Sequence, residues 1–180
     1  RLHLSFLLLL ASIAPMSTIR RLSLSVLLAA PLAAQSPARV GTVLVAHGGD
    51  STWNAGVVAA ARAARTGGPV EVSFLMGRGA ASARFQDAVA KLEAAGAQEI
   101  VVVPLLVSSH RGHYEQIRYL VGQTDSLSET MHHHLHMAGI ERASTRLPIR
   151  LTPALDDAPE MARVLADRAA ALVAAQGDVA

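Results

Sequence analysis

From Val40 onward, apolar positions follow two spacings, short runs rich in β-branched residues and stripes that recur every three to four residues. Val40–Ala46 is a run of the first kind and reads as a strand. Asp50 and Ser51 can cap a helix over roughly 53–65, with Val57, Val58 and Ala61 on one face. Gly67-Gly68-Pro69 ends it, and Val70–Phe74 alternates with period two, a strand with one wetter face. A second helix is expected over 83–95, because Phe85, Val89 and Leu92 share a stripe and Gly96 stops it. Ile100–Val107 is the longest apolar run and reads as a strand buried on both faces, extending over 99–107. Its Pro104 cannot donate to a ladder, so the strand should start to leave the sheet there. His113–Val121 reads as helix and Ile149–Leu151 as a short fourth strand. Asp157-Ala158-Pro159-Glu160 carries a capping-box pattern before a last helix whose apolar stripe is Met161, Val164, Leu165, Leu172 and Val173. Strand and helix alternating through short connections predict an α/β domain: a mainly parallel four-stranded sheet, helices on both faces, right-handed crossovers.

The first 36 residues break this pattern. They hold two apolar segments, Leu2–Ala14 and Leu22–Ala34, with Met16 and Arg20-Arg21 between them. From Met16 the order is basic residues, a short apolar stretch, then small residues Ala33, Ala34 and Ser36, the order of a signal peptide. Neither segment reaches the roughly 20 apolar residues of a membrane span, so no stable membrane anchor is expected. Residues 1–36 are therefore read as a signal peptide or N-terminal extension, and residues 37–180 as one α/β domain exported to the periplasm or beyond.

Composition changes the picture in two places. There is no cysteine, so thiolate metal sites and disulfides are excluded and an exported domain must rely on its core. Net charge is only +2, fifteen of the sixteen basic residues are Arg, and they are scattered among just six aromatic residues. A nucleic-acid partner would call for a basic stripe with stacking aromatics, so none is expected.

The candidate chemistry lies at two strand ends. The first strand runs into His47-Gly48-Gly49, and the central run stops at Ser108-Ser109 before His110 and His113. Polar groups just past the carboxyl ends of parallel strands lie where open α/β sheets keep their ligands. Imidazole suits Co²⁺, Ni²⁺, Fe²⁺ and Zn²⁺, and Tyr114 and Glu115 follow at once as partner and base. A His-Gly-Gly turn also resembles the oxyanion loop of α/β-hydrolases, but no Gly-x-Ser-x-Gly occurs. Nor is there a Gly-x-x-x-x-Gly-Lys, and the single lysine is Lys91 within a helix, so no nucleotide is expected. A second dense cluster, His132, His133, His134 and His136, would set His132 and His136 one turn apart on one face if helical. It has no strand to place it and is expected to be dispensable.

Val43–Trp53, Val70–Met76 and Glu99–Gly122 together resemble the sirohydrochlorin cobaltochelatase/ferrochelatase family, the class II chelatases. That resemblance implies a flavodoxin-like three-layer fold and ATP-independent insertion of Co²⁺, Fe²⁺ or Ni²⁺, as substrate, into a tetrapyrrole. It implies a first metal-binding histidine at His47 and a second at His110, with His113 a competitor one turn on. Catalysis is then expected from His47, His110 and Glu115, and binding of the tetrapyrrole's carboxylates from Arg111 and Arg118. The chain departs from the family's His-Gly-Ser at Gly49 and offers two histidines where many members have one. Only one copy of the fold is present, so a homodimer or a second chelatase domain is expected to complete it. A signal peptide fits a biosynthetic enzyme poorly, and favours the alternative of a periplasmic metal- or haem-binding module that keeps the fold without turnover.

Overall fold

A computed structural model describes residues 39–110 and 112–177, with side chains to Ala174; the N-terminal segment read as a signal peptide lies outside the described residues. In chain order the elements are β1 (Val40–Ala46), α1 (Ser51–Ala63), β2 (Val70–Phe74), a 3-10 turn (Ala80–Ser82) and α2 (Phe85–Ala94). Then come β3 (Glu99–Leu105), α3 (Gly112–Leu120), α4 (Glu129–Met137), β4 (Ile149–Leu151) and α5 (Pro159–Gly177). No helix among the described residues is long and apolar enough to cross a membrane.

The four strands form one parallel sheet in the order β2-β1-β3-β4. The chain moves from β1 outward to β2, then returns across β1 to β3. With right-handed crossovers, that reversal sends α1 to one face and α2 to the other. It also opens a crevice between β1 and β3 at their carboxyl ends, where parallel sheets bind ligands. Register sets the two strand ends level, since Ala46 pairs with Leu105 on one side and with Phe74 on the other.

The sheet holds its position through a core built from the expected stripes. Phe85, Val89 and Leu92 of α2 are buried against Val43, Val45, Ile100 and Val102. Each such side chain contributes about 1.5–3 kcal/mol by leaving water. Asp50 caps α1 by accepting from the Trp53 amide at 2.8 Å, and Val57 and Ala61 turn inward. α3 buries Ile117 and Leu120, and α4 is anchored by Leu135.

Three expectations are corrected. β3 stops at Leu105 rather than Val107, and Val107 is 73% exposed. Pro104, opposite Val45, is the last residue but one of β3, so the strand does leave the sheet beside it. β3 is also not dry on both sides, since Ile100, Val102 and Pro104 are buried while Val101, Val103 and Leu105 are half-buried. Finally, α5 starts at Pro159, whose missing N–H is no loss at a first helical position. It leaves Val164, Leu165, Leu172 and Val173 exposed, and of the predicted stripe Met161 alone is half-buried.

Candidate metal centre

β1 delivers His47 into a turn that only glycine can follow. Gly48 has φ +94°, and a Cβ there would lie 2.1 Å from the Met76 carbonyl oxygen. That closeness lets the β1 and β2 ends lock together: the Leu75 amide donates to Ala46 at 3.0 Å and the Met76 amide to His47 at 2.8 Å. The Asn54 side chain then clamps Gly49 from both sides, accepting from its amide at 2.9 Å and donating to its carbonyl at 3.2 Å. The His47 backbone is thus tied down although its ring is exposed. His47 Nδ1 lies 2.8 Å from the Gly48 carbonyl oxygen. A carbonyl only accepts, so Nδ1 carries the proton and Nε2 keeps its lone pair.

His113 stands on the first turn of α3, across the crevice. Its ring meets the His47 ring edge-on, with centroids 4.5 Å apart and planes at 84°. Two imidazoles on one ion, with metal–nitrogen bonds of about 2.0–2.1 Å, would have centroids roughly 4.5–5 Å apart. His113 Nδ1 sits 2.8 Å from Oε1 of Gln116, a fully buried amide. The Gln116 Nε2 donates at 2.9 Å to the Met131 carbonyl, in the first turn of α4. That carbonyl dictates which way the amide faces, so Oε1 must accept and His113 Nδ1 must donate. His113 therefore also keeps its lone pair on Nε2. Two separate backbone carbonyls, Gly48 and Met131, set the same tautomer on both rings.

His110 has different company. Its side chain is 85% exposed, with Nδ1 3.4 Å from Ser108 Oγ and 3.8 Å from Asp156 Oδ1. The loop itself is held by Ser109, whose amide and hydroxyl donate to the two Asp156 oxygens at 2.7 and 2.6 Å. Ser109 Oγ also accepts from the Ala154 amide at 2.8 Å. Asp156 takes a left-handed backbone, φ 42°, to reach this position. The Ser109 hydroxyl, then its amide, hold the Asp156 carboxyl below its usual range; the positive charge of His110 acts in the same direction more weakly.

The other candidates separate by position. Glu115 is exposed on the first turn of α3. Tyr114 donates to the Thr152 carbonyl, just past the carboxyl end of β4, at 3.1 Å. Arg118 is exposed but lies on the last turn of α3, well back from the edge. Arg111 lies outside the described residues. The histidine run forms α4: His132 packs edge-on to Tyr119 with centroids 5.8 Å apart, and Glu129, His132, His133 and His136 border one cavity of about 630 Å³. Among the described residues, no three His, Asp or Glu side chains are arranged to hold an ion. Sequence reasoning missed Gln116 and Asp156. The i,i+3 spacing of His113 and Gln116 was a readable signal; nothing local marks Asp156, whose partner is far off in the chain.

An all-parallel four-stranded sheet with five helices is a fold of the class II chelatase type. Residues 41–172 match the CbiX family model, and the chain belongs to the CbiX family. At that level it is a chelatase-type enzyme, with a divalent metal ion and a tetrapyrrole as substrates. A search of curated proteins gives no match.

Proposed function

We propose that this chain inserts Co²⁺ or Fe²⁺ into a sirohydrochlorin-type tetrapyrrole without nucleotide hydrolysis, with His47 and His113 holding the ion. The observation that carries this reading is the edge-on imidazole pair, each ring with Nδ1 engaged and Nε2 unengaged by any described residue. Two neutral nitrogen donors bind a divalent ion firmly enough to present it and weakly enough to give it up. Insertion replaces two pyrrole N–H bonds by metal–nitrogen bonds and releases two protons. Glu115 and His110, exposed at the same edge, are the acceptors in this scheme. His110 thus moves from second ligand to proton acceptor, and His113 takes the ligand role.

The pattern of residues 1–36 supports a second reading, an exported carrier that binds metal or haem stoichiometrically. One experiment separates them. Purified full-length chain is mixed with sirohydrochlorin and Co²⁺, and the visible spectrum is followed. The enzyme reading expects many turnovers per chain, lost in His47→Ala and His113→Ala. A rate equal to that without protein overturns it, and a stoichiometric spectral change without turnover selects the carrier.

A further inference from the structure

A tetrapyrrole with carboxylate arms needs cations beside the metal centre, and neither predicted arginine is described there. The turn that follows β2 is better placed. Gly77-Arg78-Gly79 folds over the β1–α1 loop: a Cβ on Gly77 would touch the Gly49 carbonyl oxygen at 3.4 Å, and one on Gly79 would clash with the Asn54 amide at 2.6 Å. The turn is closed by the Ala80 amide on Gly77 at 3.1 Å and by the Ser82 amide and hydroxyl on Gly79 at 3.2 and 3.1 Å. Only Gly77 separates Arg78 from Met76, whose amide is bonded to the His47 carbonyl.

The Arg78 side chain is exposed and makes no hydrogen bond or ion pair with a described residue. Arg78 borders two cavities. One, of about 540 Å³, lies over Gly49, Asp50, Ser51 and Asn54; the other, of about 260 Å³, lies toward His134 and Met137. The one carboxylate lining the larger cavity, Asp50, is already engaged in capping α1.

Other arginines fail on charge or place. Arg84, Arg142, Arg150 and Arg163 are paired with Asp87, Asp125, Glu99 and Glu160. Arg39, Arg62, Arg65 and Arg146 stand before strands or at the far end of α1, at the opposite edge of the sheet. Arg118 and Arg168 lie along helices. Among the described residues, Arg78 is the free guanidinium that the topology brings to the carboxyl edge beside His47.

We infer that Arg78 binds a carboxylate arm of the tetrapyrrole and seats the ring over the imidazole pair. This rests on the chelatase reading and adds the residue that recognises the ring's acid groups. A guanidinium takes a carboxylate through two parallel N–H bonds, which fixes orientation as well as charge. The test compares wild type, Arg78→Gln and Arg78→Lys on sirohydrochlorin and on its fully methyl-esterified form. Arg78→Gln should raise KM for the free acid about tenfold or more, with kcat and calorimetric Co²⁺ affinity unchanged. Arg78→Lys should fall between, keeping charge but not the fork. On the ester, all three proteins should be alike. An unchanged KM for the free acid, or the same loss on the ester, overturns the assignment while leaving the chelatase reading intact. A wild type that takes Co²⁺ but neither binds nor metallates the free acid overturns both.

Discussion

Two groups of histidine in this fold were built by opposite means. His132, His133, His134 and His136 are neighbours in sequence, yet α4 turns them about 100° per residue and scatters them. His132 packs on Tyr119, while His134 borders the cavity on the Arg78 side with its Nδ1 buried and unpartnered. His47 and His113 are far apart in sequence, and parallel pairing of β1 with β3 brings their rings to 4.5 Å. Density along a chain is therefore a poor guide to convergence in space. What distinguishes the pair is that a second group orients each ring: the Gly48 carbonyl for one, Gln116 backed by Met131 for the other. Such supporting bonds keep ligating imidazoles in one tautomer.

The largest expected effect comes from breaking the pair itself. His113→Ala should cost Co²⁺ affinity about 1–3 kcal/mol, if a ligand contact is comparable to a charge-assisted hydrogen bond. His110→Ala should lower turnover with affinity nearly intact. Calorimetry and absorbance on both variants check this ranking, and loss of binding in His110→Ala alone reverses it.

Next comes the support behind His113. Gln116→Leu removes the acceptor for Nδ1–H and orphans the Met131 carbonyl, so metal affinity should drop about 10–100-fold. Gln116→Glu keeps an acceptor for His113 but has no donor for Met131. It should bind metal better than the Leu variant while losing about 1–3 kcal/mol of stability. Urea unfolding beside metal titration separates the two, and equal metal affinities for Leu and Glu would refute the tautomer argument.

A smaller effect tests the His110 loop. Asp156 has a folded-state pKa below its ordinary 3.8, so its carboxylate stabilises the fold above that value. The contribution is lost as pH falls through the lower, folded-state pKa. The stability gap between wild type and Asp156→Asn should therefore be full near neutral pH and shrink progressively below about 4. Urea midpoints from pH 7 to pH 2 measure it; a gap that widens on acidification contradicts the Ser109–Asp156 bonds.

The smallest change is expected from replacing all four α4 histidines with Ala. Turnover should stay within about twofold, because their side chains make no described contact with His47 or His113 and Leu135, not histidine, anchors the helix. A large rate loss with α4 intact by circular dichroism would make the dense cluster the functional one.

The histidine run of α4 carries no apolar stripe, but periodicity alone determined the order of the strands and of every other helix, because a β-branched run or an apolar stripe has one compact way to hide from water. It marked Val40–Ala46, Val70–Phe74 and Ile149–Leu151 to the residue, and it marked the strand ends that carry His47 and His110. It placed β3 two residues too long, since Leu106 and Val107 are as apolar as the strand before them and only the missing ladder partner ends it. It drew an inward stripe on α5, which shows that amphipathic spacing states what a helix can bury and not what lies beside it. Which imidazole meets His47 was beyond any local pattern. His110 and His113 are three residues apart and equally polar; the choice follows from the start of α3 at Gly112 and from a buried amide tied to another helix. Those are facts of packing between elements distant in sequence, which only the assembled tertiary structure sets.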